Sequence, residues 1–264
     1  MRVNQIMTPD AVVIDKNVPL AGAIDLMQRK GISRLIVVES GRIVGMLTEK
    51  DIMREFCSTK SYRLPPGRMH VSNLMTANVI TVAPDVTAKR AAEIMLEHDI
   101  SGLPVVDDNK LVGIVTKLDF AKVCSGFEDV FAGQVMQSSP ITVSPTDRAI
   151  HARKLLLDED LVGLPVVEGG ELVGVVTVRD LAMKLAAFQD IVPDRFKSER
   201  IRNLLVGDIM TRQAVSTRTD ARLAEVAHLM FEKRFSSVPV LNLQGELVGL
   251  ITKTELAEVA RERL

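Results

Sequence analysis

The stretch that decides the fold is "LVGIVTKLDF" at residues 111–120, because the chain contains this pattern four times. Each copy joins an apolar run containing a glycine to a threonine, and an acidic residue follows three positions later. The other copies are "IVGMLTEKDI" at 43–52, "LVGVVTVRDL" at 172–181 and "LVGLITKTEL" at 247–256. Self-similarity of this kind is typical of a chain built from repeated structural units.

Two further landmarks recur in step with this pattern and show that the repeats fill the chain. The openings of the repeats share a Met near their end: "VNQIMT" (3–8), "VSNLMT" (71–76), "AGQVMQ" (132–137) and "VGDIMT" (206–211). Their middles share an apolar run: "SRLIVV" (33–38), "SGLPVV" (101–106), "VGLPVV" (162–167) and "SSVPVL" (236–241). We therefore divide the chain into repeat 1 (1–56), a linker (57–70), repeat 2 (71–124), a short linker (125–131), repeat 3 (132–186), a linker (187–203) and repeat 4 (204–264).

Within one repeat the periodicity predicts the element order β-α-β-β-α. In repeat 2 the β-branched run "NVITV" at 78–82 predicts a strand, and the apolar spacing within 85–99 predicts a helix. The runs "LPVV" and "LVGIV" predict two buried strands, and residues 117–124 predict a second helix. Residues that can accept a bond from a first-turn amide are expected to cap the first helices: Asn17, Asp85, Thr146 and Asp220.

A single repeat is too small to stand alone. A chain of about 60 residues buries only about 60% of its unfolded surface. The apolar runs do not alternate with polar residues, which indicates strands covered on both faces. We therefore predict an α/β (α+β) protein in which repeats 1 and 2, and repeats 3 and 4, pack sheet against sheet. Each pair would form a module with a pseudo-twofold axis and a cleft on either side of it.

The composition limits the classes of function. The chain has 264 residues, of which 47% are hydrophobic, so it can build sizeable cores. Its net charge of −1 argues against non-specific binding to nucleic acid or to an anionic membrane. No apolar run reaches the ~20 residues of a membrane-spanning helix, and residues 1–10 lack a signal-peptide core. With only Cys57 and Cys124, the protein is expected to be soluble and cytoplasmic.

The side chains that usually support catalysis or metal binding show no recurring arrangement. The histidines have no pair at metal-ligand spacing, so no metal site is predicted: they are His70, His98, His151 and His228. No nucleophile–base pair or carboxylate pair recurs, so the chain is not expected to be an enzyme or to need a catalytic cofactor. The basic stretch "RLPPGR" at 63–68 looks like an exposed linker and gives only weak support to nucleic-acid binding.

The recurring Thr-x-x-acid motif has two interpretations. In the first it is a capping box, in which the threonine hydroxyl caps a first-turn amide and the acid bonds back to the amide of the threonine. Only Glu255 fits the usual form of that motif, because the other three acids are the shorter Asp. Under this interpretation the protein is a structural or interaction scaffold with empty clefts.

In the second interpretation the same helix starts bind a phosphorylated nucleoside. A helix N-terminus favours an anion, and a threonine hydroxyl adds a donor to a phosphate oxygen. A carboxylate one turn later can accept from a ribose diol. Because Pro104 cannot donate to a strand ladder, Gly102 and Leu103 would keep free backbone groups for an adenine edge. The cations in the motif occupy two different registers, which argues against a single shared role: Lys50 and Arg179, against Lys117 and Lys253.

The three landmarks together resemble the repeats of cystathionine beta-synthase (CBS) domains, and the resemblance covers essentially the whole chain. Two such repeats form a Bateman module, and a chain of four is similar to the gamma subunit of AMP-activated protein kinase and to stand-alone prokaryotic CBS proteins. The resemblance implies an adenosine ligand, which is AMP, ADP, ATP or in some members S-adenosylmethionine. It also implies that the motif threonine contacts phosphate and the motif aspartate contacts ribose.

The site residues that the resemblance implies can be assigned repeat by repeat. The phosphate and ribose contacts fall on Thr48 and Asp51, Thr116 and Asp119, and Thr177 and Asp180. The pair Thr252 and Glu255 departs from the pattern, because glutamate replaces aspartate. First-strand candidates are Thr81, Thr142 and Ser216. Arg34 is a candidate phosphate contact in repeat 1, where Ile36 also replaces the proline of the other repeats.

These observations predict a regulatory protein that senses adenine nucleotides and passes the signal to another molecule. A ligand bridging two repeats would shift their relative orientation by as much as its affinity differs between the two arrangements. No effector domain is present in the sequence, so a homodimer or a regulated partner protein is expected. The alternatives are the scaffold described above and a CBS protein that binds S-adenosylmethionine or nucleic acid.

Overall fold

The computed structural model describes residues 1–56, 65–191 and 200–264, and parts of the predicted linkers, at 57–64 and 192–199, lie outside these ranges. Four repeats of mixed α/β structure follow one another along the chain, as predicted. Each contains a first helix, an antiparallel β-hairpin and a second helix. No helix in the described ranges has both the length and the apolar character needed to cross a bilayer.

The main elements recur in each repeat with similar lengths. The first helices are Leu20–Lys30, Ala88–Glu97, Ala149–Asp158 and Leu223–Lys233. The hairpins are Arg34–Glu39 with Arg42–Thr48, Gly102–Asp107 with Lys110–Thr116, Gly163–Glu168 with Glu171–Thr177, and Ser237–Leu241 with Leu247–Thr252. The second helices are Glu49–Phe56, the 3-10 turn Lys117–Phe120 continued by Ala121–Cys124, Val178–Ile191, and Lys253–Arg263.

Short elements complete the repeats. The opening segments contain the helices Val3–Ile6 and Ala132–Val135 and the 3-10 turns Val71–Asn73 and Val206–Asp208, and a further 3-10 turn is Pro66–Arg68. Two-residue strands follow three of the openings: Thr8–Pro9, Gln137–Ser138 and Thr211–Arg212. Short first strands run parallel to the hairpins of repeats 1 and 4: Val13–Asp15 and Thr217–Arg218.

The strand predicted at 78–82 is wrong for all but its last residue, because only Val82 forms a bridge, to Val105. The cause is the proline of the neighbouring strand. In repeat 1, the amide of Ile36 donates to the carbonyl of Val12 at 3.3 Å. Pro104 stands in the place of Ile36 and has no N–H, so pairing begins only after it. Repeats 3 and 4 show the same late start after their prolines.

The helix caps predicted at Asn17, Asp85, Thr146 and Asp220 are also wrong, because the first helices begin two residues further on. Their N-cap positions are Pro19, Thr87, Arg148 and Arg222, of which only Thr87 caps with its side chain. The first helical amide instead bonds to a carbonyl outside its own repeat or at its boundary. The pairs are Leu20 with Met69, Ala88 with Met1, Ala149 with Leu204, and Leu223 with Val130, at 2.8–3.0 Å.

Repeats 1 and 2, and repeats 3 and 4, are joined because each opening segment crosses into the neighbouring repeat. Thr8 and Pro9 of repeat 1 pair with Ile114 and Gly113 of repeat 2. In return, Thr76 of repeat 2 bridges Met46 of repeat 1. The second module repeats this exchange between Gln137–Ser138 and the hairpin of repeat 4, and between Thr211–Arg212 and the hairpin of repeat 3. This exchange confirms the predicted pairing into two modules.

The glycine shared by the four motif copies is explained by this exchange. A Cβ on Gly113 would lie 2.7 Å from the carbonyl oxygen of Thr8, and one on Gly174 would lie 2.6 Å from that of Thr211. A Cβ on Gly45 would lie 2.8 Å from Sδ of Met75, which belongs to the opening motif of repeat 2. The opening Met-Thr segment of one repeat therefore packs directly against the motif glycine of its neighbour. A side chain at the glycine would displace this crossing segment.

The two modules pack against each other through helices rather than strands. The second helices of repeats 1 and 3 contact each other along their length, and the second helix of repeat 4 packs on both helices of repeat 2. One core therefore joins repeats 1 and 3, with Ile52 and Leu181 fully buried, and another joins repeats 2 and 4, with Phe120 and Leu256 fully buried. As a result, the N-termini of all four second helices lie near the centre of the molecule.

Candidate functional site

The Thr-x-x-acid motif has the same geometry in all four repeats. One carboxylate oxygen accepts both from the backbone amide of the threonine, at 2.7–2.9 Å, and from its hydroxyl, at 2.6–2.7 Å. The pairs are Thr48 with Asp51, Thr116 with Asp119, Thr177 with Asp180, and Thr252 with Glu255. The reciprocal bond of a capping box is thus present with aspartate as well as with glutamate.

This geometry affects what each group can offer to a ligand. The single hydroxyl hydrogen of each threonine points at the acid, so donation to a phosphate would first require that bond to break. The second carboxylate oxygen is more available: Oδ1 of Asp119 has Lys122 Nζ at 3.6 Å, and Oδ1 of Asp51 has Arg54 Nη1 at 3.4 Å. Burial raises the pKa of Asp119, Asp180 and Glu255, and the hydrogen bonds from their threonines oppose the rise.

The residue paired with each motif threonine across the hairpin lies at the midline of its module. These residues are Arg34, Gly102, Gly163 and Ser237. In the first module Arg34 fills the space above Gly102 and donates from Nη1 to the carbonyl of Ser101. In the second module Ser237 faces Gly163, and its buried hydroxyl has no hydrogen-bond partner among the described residues. Both midlines thus combine a larger residue with a glycine.

Charged residues from all four repeats converge where the second helices begin. We call this set the central cluster, and it consists of Arg34, Glu49, Lys50, Lys117, Arg179 and Lys253. Arg179 Nε donates to Glu49 Oε1 at 2.7 Å, which links repeat 3 to repeat 1. Lys117 Nζ lies 3.4 Å from Thr254 Oγ1, which links repeat 2 to repeat 4. The pKa of Lys253 is affected by the charges of four neighbours, which are Arg34, Glu49, Lys117 and Lys50. The cluster therefore holds five cations and one acid.

Lowered pKa values show that four of these cations are desolvated and that charges of like sign act on three of them. Burial, together with the charge of Arg34, lowers the pKa of Lys253 to about 7, whereas the charge of Glu49 opposes the shift. Burial also lowers the pKa of Lys117, which is only 5% exposed, and those of Lys50 and Arg34. Burial raises the pKa of Glu49 against the charge of Arg179. An anion placed among these groups would relieve both effects.

The structure brings the motif cations together, although their two registers argue against a single shared role. Lys50 and Arg179 follow their threonines by two residues, whereas Lys117 and Lys253 follow theirs by one. This difference in register follows the packing between modules, since repeat 1 packs on repeat 3 and repeat 2 on repeat 4. Lys50 and Arg179 therefore reach the central cluster from the helix pair of repeats 1 and 3. Lys117 and Lys253 reach it from the helix pair of repeats 2 and 4.

The proline of the apolar run also leaves a backbone carbonyl without a donor on the neighbouring segment, which the sequence does not predict. Gly102 and Leu103, the residues predicted to keep free backbone groups, stand opposite Thr116 and Val115, and alternate residues of an antiparallel ladder direct their backbone groups away from the paired strand. The carbonyl without a donor is that of Ile80, on the segment beside Pro104. Its equivalents are the carbonyls of Ile141 in repeat 3 and Val215 in repeat 4. No other described backbone amide donates to these carbonyls. The side chains of Ile141 and Val215 are 40% and 46% exposed, so an apolar surface lies beside each free acceptor.

The first-strand candidates follow these carbonyls directly. Thr81 and Thr142 are exposed, and Ser216 is partly exposed. A cleft of about 440 Å³ opens elsewhere, at the seam between repeats 2 and 4, where Lys117 and Thr254 line it together with Asp99 and Glu258. Within the ranges that the structure describes, no group of three His, Cys, Asp or Glu side chains is placed to hold a metal ion.

Comparison with known proteins defines the class. The chain belongs to the CBS domain family, whose family model matches it four times, at residues 3–58, 71–126, 132–187 and 206–262. Protein MJ1225 of Methanocaldococcus jannaschii is 24% identical over 252 residues, which is 89% of each chain. Its crystal structure, described as that of a proposed archaeal homologue of g-AMPK, superposes with a TM-score of 0.83 at 22% identity and covers 98% of this chain and 99% of that one.

Two further relatives complete the comparison. An uncharacterized conserved protein from Pyrococcus horikoshii has a TM-score of 0.65 at 28% identity, over 98% of this chain and all of that one. An inosine-5'-monophosphate dehydrogenase of Korarchaeum cryptofilum is 34% identical over 224 residues, which is 81% of this chain. The match spans only 45% of the length of that enzyme. These relatives show the fold and family, and they contain both a protein of similar length and a longer enzyme.

Proposed function

We propose that the protein is a regulatory, non-catalytic binder of the adenine nucleotides AMP, ADP or ATP. The observation that supports this most strongly is the central cluster, in which five cations from four repeats, four of them desolvated, lie at the N-termini of the motif helices. Such an arrangement stabilises a multiply charged anion, because the helix ends and the side chains contribute charge of the same sign. The phosphate end of the ligand would lie there, near Arg34, Lys117 and Lys253.

The nucleoside end would lie along the hairpin. In repeat 2, the strand of Gly102 separates the segment of Ile80 from Thr116. The two sides are therefore about two strand spacings apart, roughly 10 Å, a separation that a nucleoside spans. The free carbonyl of Ile80 would accept from the adenine amino group, and Oδ1 of Asp119 would accept from the ribose hydroxyls. Repeat 3 offers the equivalent groups at Ile141 and Asp180.

Repeats 2 and 3 are the strongest candidate sites, because each combines the motif Asp, the proline and a glycine at the midline. Repeat 1 lacks the free carbonyl, since Ile36 donates to Val12. In repeat 4 the acid is Glu255 instead of the aspartate of the other repeats, and the midline residue is Ser237 instead of a glycine. We therefore propose two strong nucleotide sites per chain. The signal would pass to a second copy or to a partner protein in the cytoplasm.

Calorimetry with AMP, ADP, ATP and S-adenosylmethionine tests this function. We expect two binding events per chain for at least one of the three nucleotides. Asp119→Asn and Asp180→Asn should each remove one event, because the amide loses the charge and one acceptor. The matched control is Asp208→Asn, an exposed acid that accepts from the Leu205 amide at 3.0 Å in an opening segment and not at the start of a second helix.

The second candidate function is an interaction scaffold, and the four closed capping boxes favour it. Under it, the same two variants would lower the melting temperature and no ligand in the panel would bind. Uptake of S-adenosylmethionine alone would replace the proposed ligand class while leaving the sites in place. Retention of full nucleotide affinity by both variants would refute the assigned ribose contacts.

A further inference from the structure

The cleft of about 440 Å³ at the seam between repeats 2 and 4, which we call the seam cleft, has walls from both modules. One wall is the end of the first helix of repeat 2 and the turn after it, with Leu96 and Asp99. The other is the second helix of repeat 4, with Thr254 and Glu258. The volume is typical of small-molecule sites in proteins. The described residues that line it include none of the proposed ribose and adenine contacts, so the seam cleft is separate from those parts of the nucleotide sites.

Lys117 lines the seam cleft with an ammonium group that has few partners. The residue is only 5% exposed, and burial lowers its pKa. An ammonium group has three N–H donors. In the part of the chain that the structure describes, Nζ forms one hydrogen-bonding contact, with Thr254 Oγ1 at 3.4 Å, which is longer than an ordinary hydrogen bond. A buried charge with unused donors favours a ligand that brings an acceptor, above all a negatively charged one.

Two carboxylates line the same cleft on its opposite walls. The charges of Asp99 and Glu258 oppose the effect of burial on the pKa of Lys117, so both lie close enough to act on it. Within residues 1–56, 65–191 and 200–264, neither carboxylate forms a hydrogen bond or an ion pair. The other two acids that line the cleft both accept from Arg90 instead. The groups left for a ligand are therefore one ammonium and two carboxylates.

We propose that the seam cleft binds a small zwitterion, a molecule of amino-acid size that carries one carboxylate and one ammonium group. The ligand carboxylate would accept from Lys117 Nζ. The ligand ammonium would donate to Glu258 and Asp99, and its carbon chain would lie against Leu96. A purely cationic ligand would leave Lys117 without an acceptor, and a purely anionic one would meet two carboxylates of like charge. The proposal does not depend on the proposed function, since it requires no nucleotide.

The test is calorimetry of the full chain, without nucleotide, against the series of unbranched amino acids from glycine to 6-aminohexanoate. The members differ only in the distance between their charges. We expect at least one member to bind. Its two analogues of equal length, the carboxylic acid without the amine and the amine without the acid, should bind about tenfold more weakly or less, because each loses a charge-assisted hydrogen bond.

The variants Lys117→Met and Glu258→Gln should each weaken binding of that amino acid by about tenfold or more, for the same reason. The matched control is Glu232→Gln, an exposed acid of repeat 4 that does not line the cleft, and it should keep the wild-type affinity. Thermal unfolding verifies that each variant is folded. Should Lys117→Met fail to fold, Glu258→Gln decides, because Glu258 is exposed.

Three results would overturn the proposal. The first is that no member of the series binds. The second is that an analogue with a single charge binds as tightly as the amino acid, which would make the cleft a simple cation or anion site. The third is full affinity in both variants, which would place the amino acid elsewhere. Binding or absence of binding of nucleotides bears only on the proposed function.

Discussion

The carbonyl oxygen of Thr8 occupies a position only 2.7 Å from where a Cβ of Gly113 would lie. Thr8 belongs to repeat 1 and Gly113 to repeat 2, and they pair through neighbouring positions of one ladder. The glycine of the most prominent sequence motif therefore serves assembly of the module, whereas the threonine and acid that follow it belong to the candidate site. The ten-residue pattern thus contributes to module assembly through its glycine and to the candidate site through its threonine and acid.

Gly113→Ala should destabilise the protein by about 1–3 kcal/mol, because the added methyl group meets a backbone oxygen that cannot rotate away. Chemical denaturation gives the change in free energy of unfolding. The control is Gly67→Ala, since a Cβ at Gly67 meets nothing within 4 Å. Equal stability of the two variants would show that the opening segment does not cross as described.

Lys253 should make stability depend on pH. Burial lowers its folded pKa to about 7, below the ordinary value of 10.5, so the unfolded chain binds more protons between these two values. The free energy of unfolding should then rise as pH increases from 7 toward 10.5, by at most about 1.4 kcal/mol per pH unit from this group. Lys253→Met should be more stable than wild type near pH 7 and should lose this slope.

The comparison is best made between pH 7 and 9 by urea denaturation of both proteins. Above pH 9 the buried thiol of Cys124, whose pKa burial raises to about 12, adds a loss of stability of opposite sign. Subtracting the variant from the wild type cancels that contribution. A difference between the two proteins that is constant over this range would show that Lys253 is not desolvated in the folded protein.

The fragment 1–131, which contains only the first module, should not remain a monomer. Its helices bury Ile52 and Phe120 against repeats 3 and 4, so removal of those repeats exposes both cores. A second copy can cover these faces, because repeats 3 and 4 have the same pattern. Light scattering after size-exclusion chromatography should show a dimer or larger species, and a well-folded monomeric fragment would contradict the shared cores.

The α/β class, the four repeats and their pairing into modules are predictable from the sequence, because they follow from the periodic and apolar patterns of the repeats. The helix caps are not, since the acceptor of the Ala88 amide is Met1, which lies in another repeat. The capping box could be predicted from local spacing, and it forms in every repeat. Whether the acid also contacts a ribose lies beyond what spacing can decide.

The central cluster is not predictable from the sequence for a related reason. Its members stand at two different distances along the chain from the motif threonine, whereas an alignment of all four repeats compares only residues at equivalent positions. Repeats 1 and 3 face each other, as do repeats 2 and 4, so residues at different registers reach the same point. A comparison of alternate repeats shows the pattern, since Lys50 matches Arg179 and Lys117 matches Lys253.

The crossing of the opening segments also constrains how such a chain can grow or shrink. The first amide of each first helix donates to a carbonyl in the neighbouring repeat or at the junction with it. Loss of one repeat would therefore leave that amide without its acceptor in the other repeat. It would also remove the segment that packs on the motif glycine. Gene duplication and deletion should therefore act on whole modules. We expect relatives that conserve the crossing to carry an even number of repeats.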